Sequence, residues 1–127
     1  MSNLLDLAVL ERKKYNDLND VLDLTQQLGE ALDRNDEVSV RMLVAMRQDP
    51  ILHLEEVNRT AKSRLASLTE EEQERIKALL AGAAAQDDGE KTFLEQAGKA
   101  RGLLERVVEL DRRISLRLAG ENSFYKK

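Results

Sequence analysis

The chain has 127 residues, of which 42% are hydrophobic and 35% charged, and a formal net charge of −4. That length suits one domain with a useful core, and the acidic balance argues against nucleic acid as a partner, since phosphate binding needs a basic face. The absence of cysteine excludes a disulfide framework, a thiolate nucleophile and a cysteine metal site, and is compatible with a reducing cytoplasm. Two Phe, two Tyr, no Trp and a single Pro favour Leu-, Val- and Ala-rich helices packed side by side over many short strands.

The opening MSNLLDLAVLERKK lacks a basic leader and carries an acid, so it reads as the start of a helix rather than a signal peptide. Nowhere is there a run of about 18 apolar residues, so no membrane span is expected. The first helix is predicted over residues 3–34. Its seam is Leu4, Leu7, Leu18, Val21, Thr25, Leu28 and Leu32, flanked by Leu22 and Leu24. Glu11 and Lys14 interrupt that register, and Tyr15 is placed to cover the gap. Asn35 and Asp36 are turn-tolerant and able to cap the next helix. A connection this short makes the first two helices antiparallel neighbours.

The second helix carries Leu43, Met46, Pro50, Leu54, Val57, Ala61, Leu65 and Leu68, spaced 3, 4, 4, 3, 4, 4, 3. Residues three or four apart share one helical face, so this stripe reads as a narrow seam for a partner helix. Pro50 in a helix interior costs about 3 kcal/mol. The unbroken register favours a kinked continuous helix over a clean break in which Asp49 caps and Pro50 opens a new helix. The seam makes this arm the expected scaffold for the first and last helices.

Thr69-Glu70-Glu71-Glu72 is a capping box, with Thr69 capping and Glu72 reaching back. It starts a short helix whose apolar side is Ile76, Leu79 and Leu80, ending near Gly82 or a few alanines later. Gln86-Asp87-Asp88-Gly89 reads as a loop. The last helix is predicted over 90–119, with Gly120 as its stop and residues 121–127 as a flexible tail carrying Phe124 and Tyr125. The bundle domain therefore spans residues 1–120.

Chemistry is poorly represented. His53 has no second histidine or cysteine to share a metal with, and reads as an ordinary, partly exposed side chain. The carboxylates alternate with Lys and Arg on helix faces, and no nucleophile elbow, phosphate loop or paired acid–base motif is present. The chain reads as non-catalytic, with no cofactor and no metal. Gly98 and Gly102 form a small-residue pair in the last helix, read as close helix packing, with local weakness as the alternative. That helix also has more apolar residues than one seam can use. Leu103, Leu104, Val107, Val108, Leu110, Ile114 and Leu118 are the candidate residues for binding an amphipathic partner helix.

The order of segments resembles a known group. A long Leu-rich helix and the polar turn Asp33-Arg34-Asn35-Asp36 precede Val40-Arg41-Met42-Leu43-Val44-Ala45-Met46-Arg47, then ILHLEEVNRTAKSRLASL, and finally LLERVVELDRRISLRL. Over most of the chain this resembles the flagellar export chaperones of the FlgN and FliT type. The resemblance implies a small acidic helical protein of the cytoplasm, built on an antiparallel hairpin. It would bind hook–filament junction or filament-cap subunits, prevent their premature assembly and help deliver them to the export apparatus, with client binding on the C-terminal helix. The expected fold is all-α, an elongated antiparallel three- to four-helix bundle. The rival expectation is a structural coiled-coil or adaptor protein that self-associates, with a homodimer as one assembly state.

Overall fold

In the computed structural model, residues 2–125 are described, with side chains for residues 3–120. Five helices follow one another: α1 Ser2–Asp33, α2 Glu37–Met46, α3 Gln48–Ala66, α4 Glu70–Leu80 and α5 Asp88–Tyr125. Among the described residues there is no strand, and the helices pack as an all-α bundle.

Each helix end follows from local chemistry. At the end of α1, Asn35 takes φ 57°, the left-handed conformation that Asn tolerates better than most residues. This lets the Asn35 N–H donate to the Leu32 carbonyl at 3.1 Å and the Asp36 N–H to Ala31 at 2.9 Å, a Schellman closure. Asp36 then caps α2, its carboxylate accepting from the Ser39 N–H at 3.1 Å and the Ser39 hydroxyl at 2.6 Å. These bonds hold the Asp36 carboxyl below its ordinary pKa. One residue thus finishes one helix and starts the next, which forces the antiparallel turn. Gly82, at φ 116°, closes α4 by the same pattern: its N–H donates to Leu79 at 3.1 Å and the Ala83 N–H to Ala78 at 2.9 Å.

The capping box forms as expected. Glu72 N–H donates to Thr69 Oγ1 at 3.2 Å, and Thr69 N–H donates to the Glu72 carboxylate at 3.1 Å. Asn3 of α1 donates to the same carboxylate at 3.2 Å, tying the two helices.

In place of the kinked continuous helix expected at Pro50, the structure has two helices joined in phase. The interruption falls at Arg47, between α2 and α3. A proline ring clashes with the carbonyl four residues earlier, here Met46, and offers it no N–H. With α2 ending at Met46, Pro50 falls in the first turn of α3, where a missing donor costs little. Arg47 keeps helical angles (φ −65°, ψ −22°). Its N–H still donates to Leu43 at 3.0 Å, and its carbonyl accepts from the Ile51 N–H at 3.2 Å. The stripe therefore holds phase across the gap, with Leu43 and Val57 buried and Met46 exposed.

The core is stacked along α1 in three layers. Leu7, Ala8 and Leu10 meet Val57, Ile76 and Phe93. Leu18, Val21 and Leu22 meet Leu103 and Val107, with Ile51 and Leu54 against them. Leu28, Ala31 and Leu32 meet Leu43 and Ile114. Rising numbers on α1 match rising numbers on α5 and falling numbers on α2–α3, so α5 runs parallel to α1 and the α2–α3 arm antiparallel to both. α4 and the following loop carry the chain back across the base. The scaffold is α1, which packs most extensively on α5 and then on α3 and α2, rather than the second arm. Full burial of a side chain such as Leu18 or Leu28 contributes about 1.5–3 kcal/mol.

Between the first and second layers the seam turns polar, as Glu11 and Lys14 foretold. These two pair at 3.7 Å, and Tyr15 packs beside the second layer. Buried Asp17 meets His53 across α1 and α3, with Oδ2 and Nδ1 2.6 Å apart. Thr25, on the seam and fully buried, donates its hydroxyl to the Val21 carbonyl at 2.6 Å, so no polar group is orphaned there.

α5 begins two residues earlier than expected. Asp87 caps it by accepting from the Glu90 N–H at 2.8 Å, which draws Asp88 and Gly89 into the first turn. It also continues through Gly120 to Tyr125, so Gly120 does not stop it. The side chains of residues 121–127, Phe124 and Tyr125 among them, lie outside the described residues.

Candidate helix-binding surfaces

The seven candidate residues on α5 divide by helical phase. Leu103, Val107 and Ile114 are buried in the second and third core layers, and Leu110 and Leu118 are partly buried against them. These five serve the bundle. Residues 103, 107, 110, 114 and 118 are three or four apart and must share one face, which α1 occupies. Leu104 and Val108 lie one residue further round and remain exposed, Val108 by 56%. Leu116, which the seam assignment passed over, is 65% exposed. The exposed apolar residues of α5 are therefore Leu104 and Val108 on one flank and Leu116 on another, and the expectation for Leu103, Val107 and Ile114 is corrected to core.

Sequence reasoning missed α2 as a surface. Seven of its ten residues, EVSVRMLVAM, are apolar, yet the only buried one is Leu43. Val38, Met42 and Met46 are four residues apart and form one outward stripe, Val38 being 77% exposed. Val44 of α2 and Leu52 of α3 are exposed as well. The signal was present: a helix apolar nearly all round is normally buried on all sides. Methionines suit such a face because their flexible thioethers adapt to varied partners.

A third feature is the trough between α1 and α5, on the flank away from α3. It consists of two joined depressions of about 400 and 550 Å³ that share Gln26, Leu110 and Arg113. The opposite flank of α5 faces the other arm, where Arg47 forms an ion pair with Asp111.

Gly98 and Gly102 sit on open helix surface. A methyl group added at either would meet nothing within 4 Å, so the packing expected of them within the bundle is absent. Gly29 of α1 is the glycine that does lie close, 3.1 Å from Ile114 Cδ1 measured from where its Cβ would be.

The most connected polar group belongs to the fold. Arg75 of α4 donates from Nε and Nη2 to the two carboxylate oxygens of Glu90 at 2.8 and 2.7 Å, and from Nη2 to the Ala84 carbonyl at 3.0 Å. Glu90 also accepts from the Gln86 N–H at 2.9 Å. The Arg75 guanidinium, then the Gln86 N–H, hold the Glu90 carboxyl down to about 2. This clamp fastens α4, the loop and α5. His53 is more than half exposed and paired with Asp17. Among the described residues no group of three or more His, Cys, Asp or Glu converges as a metal site would require.

Among the described residues no helix is long and apolar enough to cross a membrane. Comparison with protein-family models, with curated proteins and with solved structures found no match.

Proposed function

We propose that this protein is a non-catalytic binding protein for amphipathic helices, acting as a cytoplasmic export chaperone of the flagellar type. Its clients would be hook–filament junction or filament-cap subunits, shielded before export. The observation that carries the reading is apolar side chain left outside a complete core: Val38, Met42 and Met46 on α2, and Leu104, Val108 and Leu116 on α5. Exposed apolar side chains of this kind mark interaction sites, and the i, i+4 spacing of Val38, Met42 and Met46 suits a helical partner. The order of segments supports the flagellar assignment.

The test is co-expression with a junction or a cap subunit, followed by size-exclusion chromatography of the complex. Val108→Asp and Met42→Asp, made singly and together, should reduce complex formation while leaving helical content unchanged. Undiminished complex in the folded double variant would overturn the assignment of these surfaces.

The exposure of α2 favours a second reading, self-association through Val38, Met42 and Met46. Light scattering across a concentration series separates the two. A concentration-independent monomer supports the chaperone, and a dimer abolished by Met42→Asp supports the structural coiled-coil or adaptor role.

A further inference from the structure

The sulfur chemistry of the chain is confined to thioethers. There is no cysteine and there are three methionines, and the two whose side chains are described, Met42 and Met46, both lie on α2. Met42 is 55% exposed and Met46 48%. The buried residues of the three core layers are Leu, Ile, Val, Ala and Phe, with no methionine among them. A spacing of four puts the two thioethers on adjacent turns, in line with Val38. Leu43 is the buried residue of α2 and joins Leu28, Ala31, Leu32 and Ile114 in the third layer, so the layer is complete without either sulfur.

We infer that Met42 and Met46 form a reversible oxidation site, at which a hydroperoxide turns an apolar helix face polar without disturbing the bundle. The chemistry rests on the exposure of the two side chains, and its consequence rests on the helix-binding reading above. In the step itself a sulfur lone pair attacks the terminal oxygen of the hydroperoxide. An S–O bond forms as the O–O bond breaks, and the proton passes to the leaving oxygen. The thioether is oxidised by two electrons to a sulfoxide, and the hydroperoxide is reduced to an alcohol, or to water where the oxidant is hydrogen peroxide. With no cysteine in the chain, no thiol of its own takes the oxidant first.

The fold is spared because of where the oxygen arrives. In a close-packed core a sulfoxide would overfill its site and bury a polar group without a donor. On α2 it meets water. The backbone of α2 is held by Asp36 accepting from Ser39 at one end and by the Arg47 N–H donating to Leu43 at the other, and neither contact uses a methionine side chain.

The surface is altered because two of the three residues in the stripe change character. Val38 alone stays apolar, and a partner covering the stripe would have to strip water from two S=O groups. The soft, adaptable thioether that suits such a face is replaced by a polar, chiral group. Sulfoxide reductases reverse the change, one enzyme for each epimer.

The experiment treats the full chain with hydrogen peroxide, with free methionine as an internal rate standard. Peptide mass mapping reads the sites, urea titration the stability, and size-exclusion chromatography with a junction or cap subunit the complex. Met42 and Met46 are expected to gain one oxygen each at a rate close to that of free methionine, with the urea midpoint unchanged. The complex should weaken about tenfold and recover after treatment with both reductases and dithiothreitol. The double variant Met42→Leu with Met46→Leu keeps an apolar stripe and should form the complex before and after peroxide. It retains Met1, and so controls for oxidation there.

The inference is overturned if either methionine resists peroxide that consumes the free amino acid, or if oxidation lowers the urea midpoint of the parent but not of the double variant. It is also overturned if the double variant loses its complex as the parent does. A complex that persists with both sulfurs oxidised removes the switch and leaves the helix-binding reading standing. No complex before peroxide removes that reading instead, and the oxidation site is then decided by the peptide map and the urea midpoint.

Discussion

Arg75 and Glu90 form a two-toothed ion pair, at 2.8 and 2.7 Å, between α4 and the first turn of α5. The guanidinium also holds the Ala84 carbonyl, and the carboxylate also holds the Gln86 N–H. The loop between the helices is thus fastened from both sides by fixed polar geometry rather than by apolar burial.

That pair makes stability depend on acid. The Glu90 carboxyl titrates near 4.5 when free and near 2 in the fold, so the unfolded chain takes up its proton first as pH falls. The contribution is complete above about 4.5 and is lost as pH drops toward 2. Urea midpoints of the parent should fall across this window. In Glu90→Gln the deficit should be largest at neutral pH and shrink as pH approaches 2. A deficit independent of pH would refute this role for the charge.

The helix joints can be tested singly. Asn35 holds a positive φ, where a side chain branched at Cβ is strained. Asn35→Val should cost about 1–2 kcal/mol, with Asn35→Gly neutral or stabilising, in chemical denaturation. Thr69→Ala removes the acceptor for the Glu72 N–H and should cost about 1 kcal/mol.

Buried and exposed positions on α5 should part cleanly. Ile114→Ala opens a cavity in the third layer and should cost about 2–5 kcal/mol. Val107→Asp and Ile114→Asp place a carboxylate in the core and should unfold the bundle, so they report stability rather than binding. Val108→Asp, on open surface, should change stability by only about 0.5 kcal/mol. Circular dichroism with a urea titration distinguishes all of these.

The glycines offer a sharper contrast. Gly98→Ala and Gly102→Ala meet nothing and should each stabilise by about 0.5–1 kcal/mol, because the helix backbone loses less freedom on folding. Gly29→Ala would crowd Ile114 Cδ1 at 3.1 Å and should gain less than either. Equal gains at all three sites would show that Ile114 yields freely.

Much of the architecture is written in local patterns. The Thr69–Glu72 box, the Asn35–Asp36 turn and the seams of α1 and α5 depend on residues at most a few positions apart, and each forms as the spacing demands. Periodicity also carried the stripe through Pro50 as one kinked helix, whereas α2 and α3 are separated at Arg47. Register records which face a residue occupies, whereas the break is set by the proline ring against the Met46 carbonyl.

Of the candidate surface, the sequence alone determined that α5 is too apolar for one seam and that the chain is helical, acidic and without cysteine. Only tertiary structure decided which of those apolar residues stay outside. A single helix cannot say which of its faces a neighbour will cover, and α1, rather than the second arm, took the central place. The same assembly buried Leu103, Val107 and Ile114, exposed the far side of α2, and brought Arg75 to Glu90 across 15 residues. Local preference specifies each helix. The choice among faces is made when the helices compete to exclude water from one another.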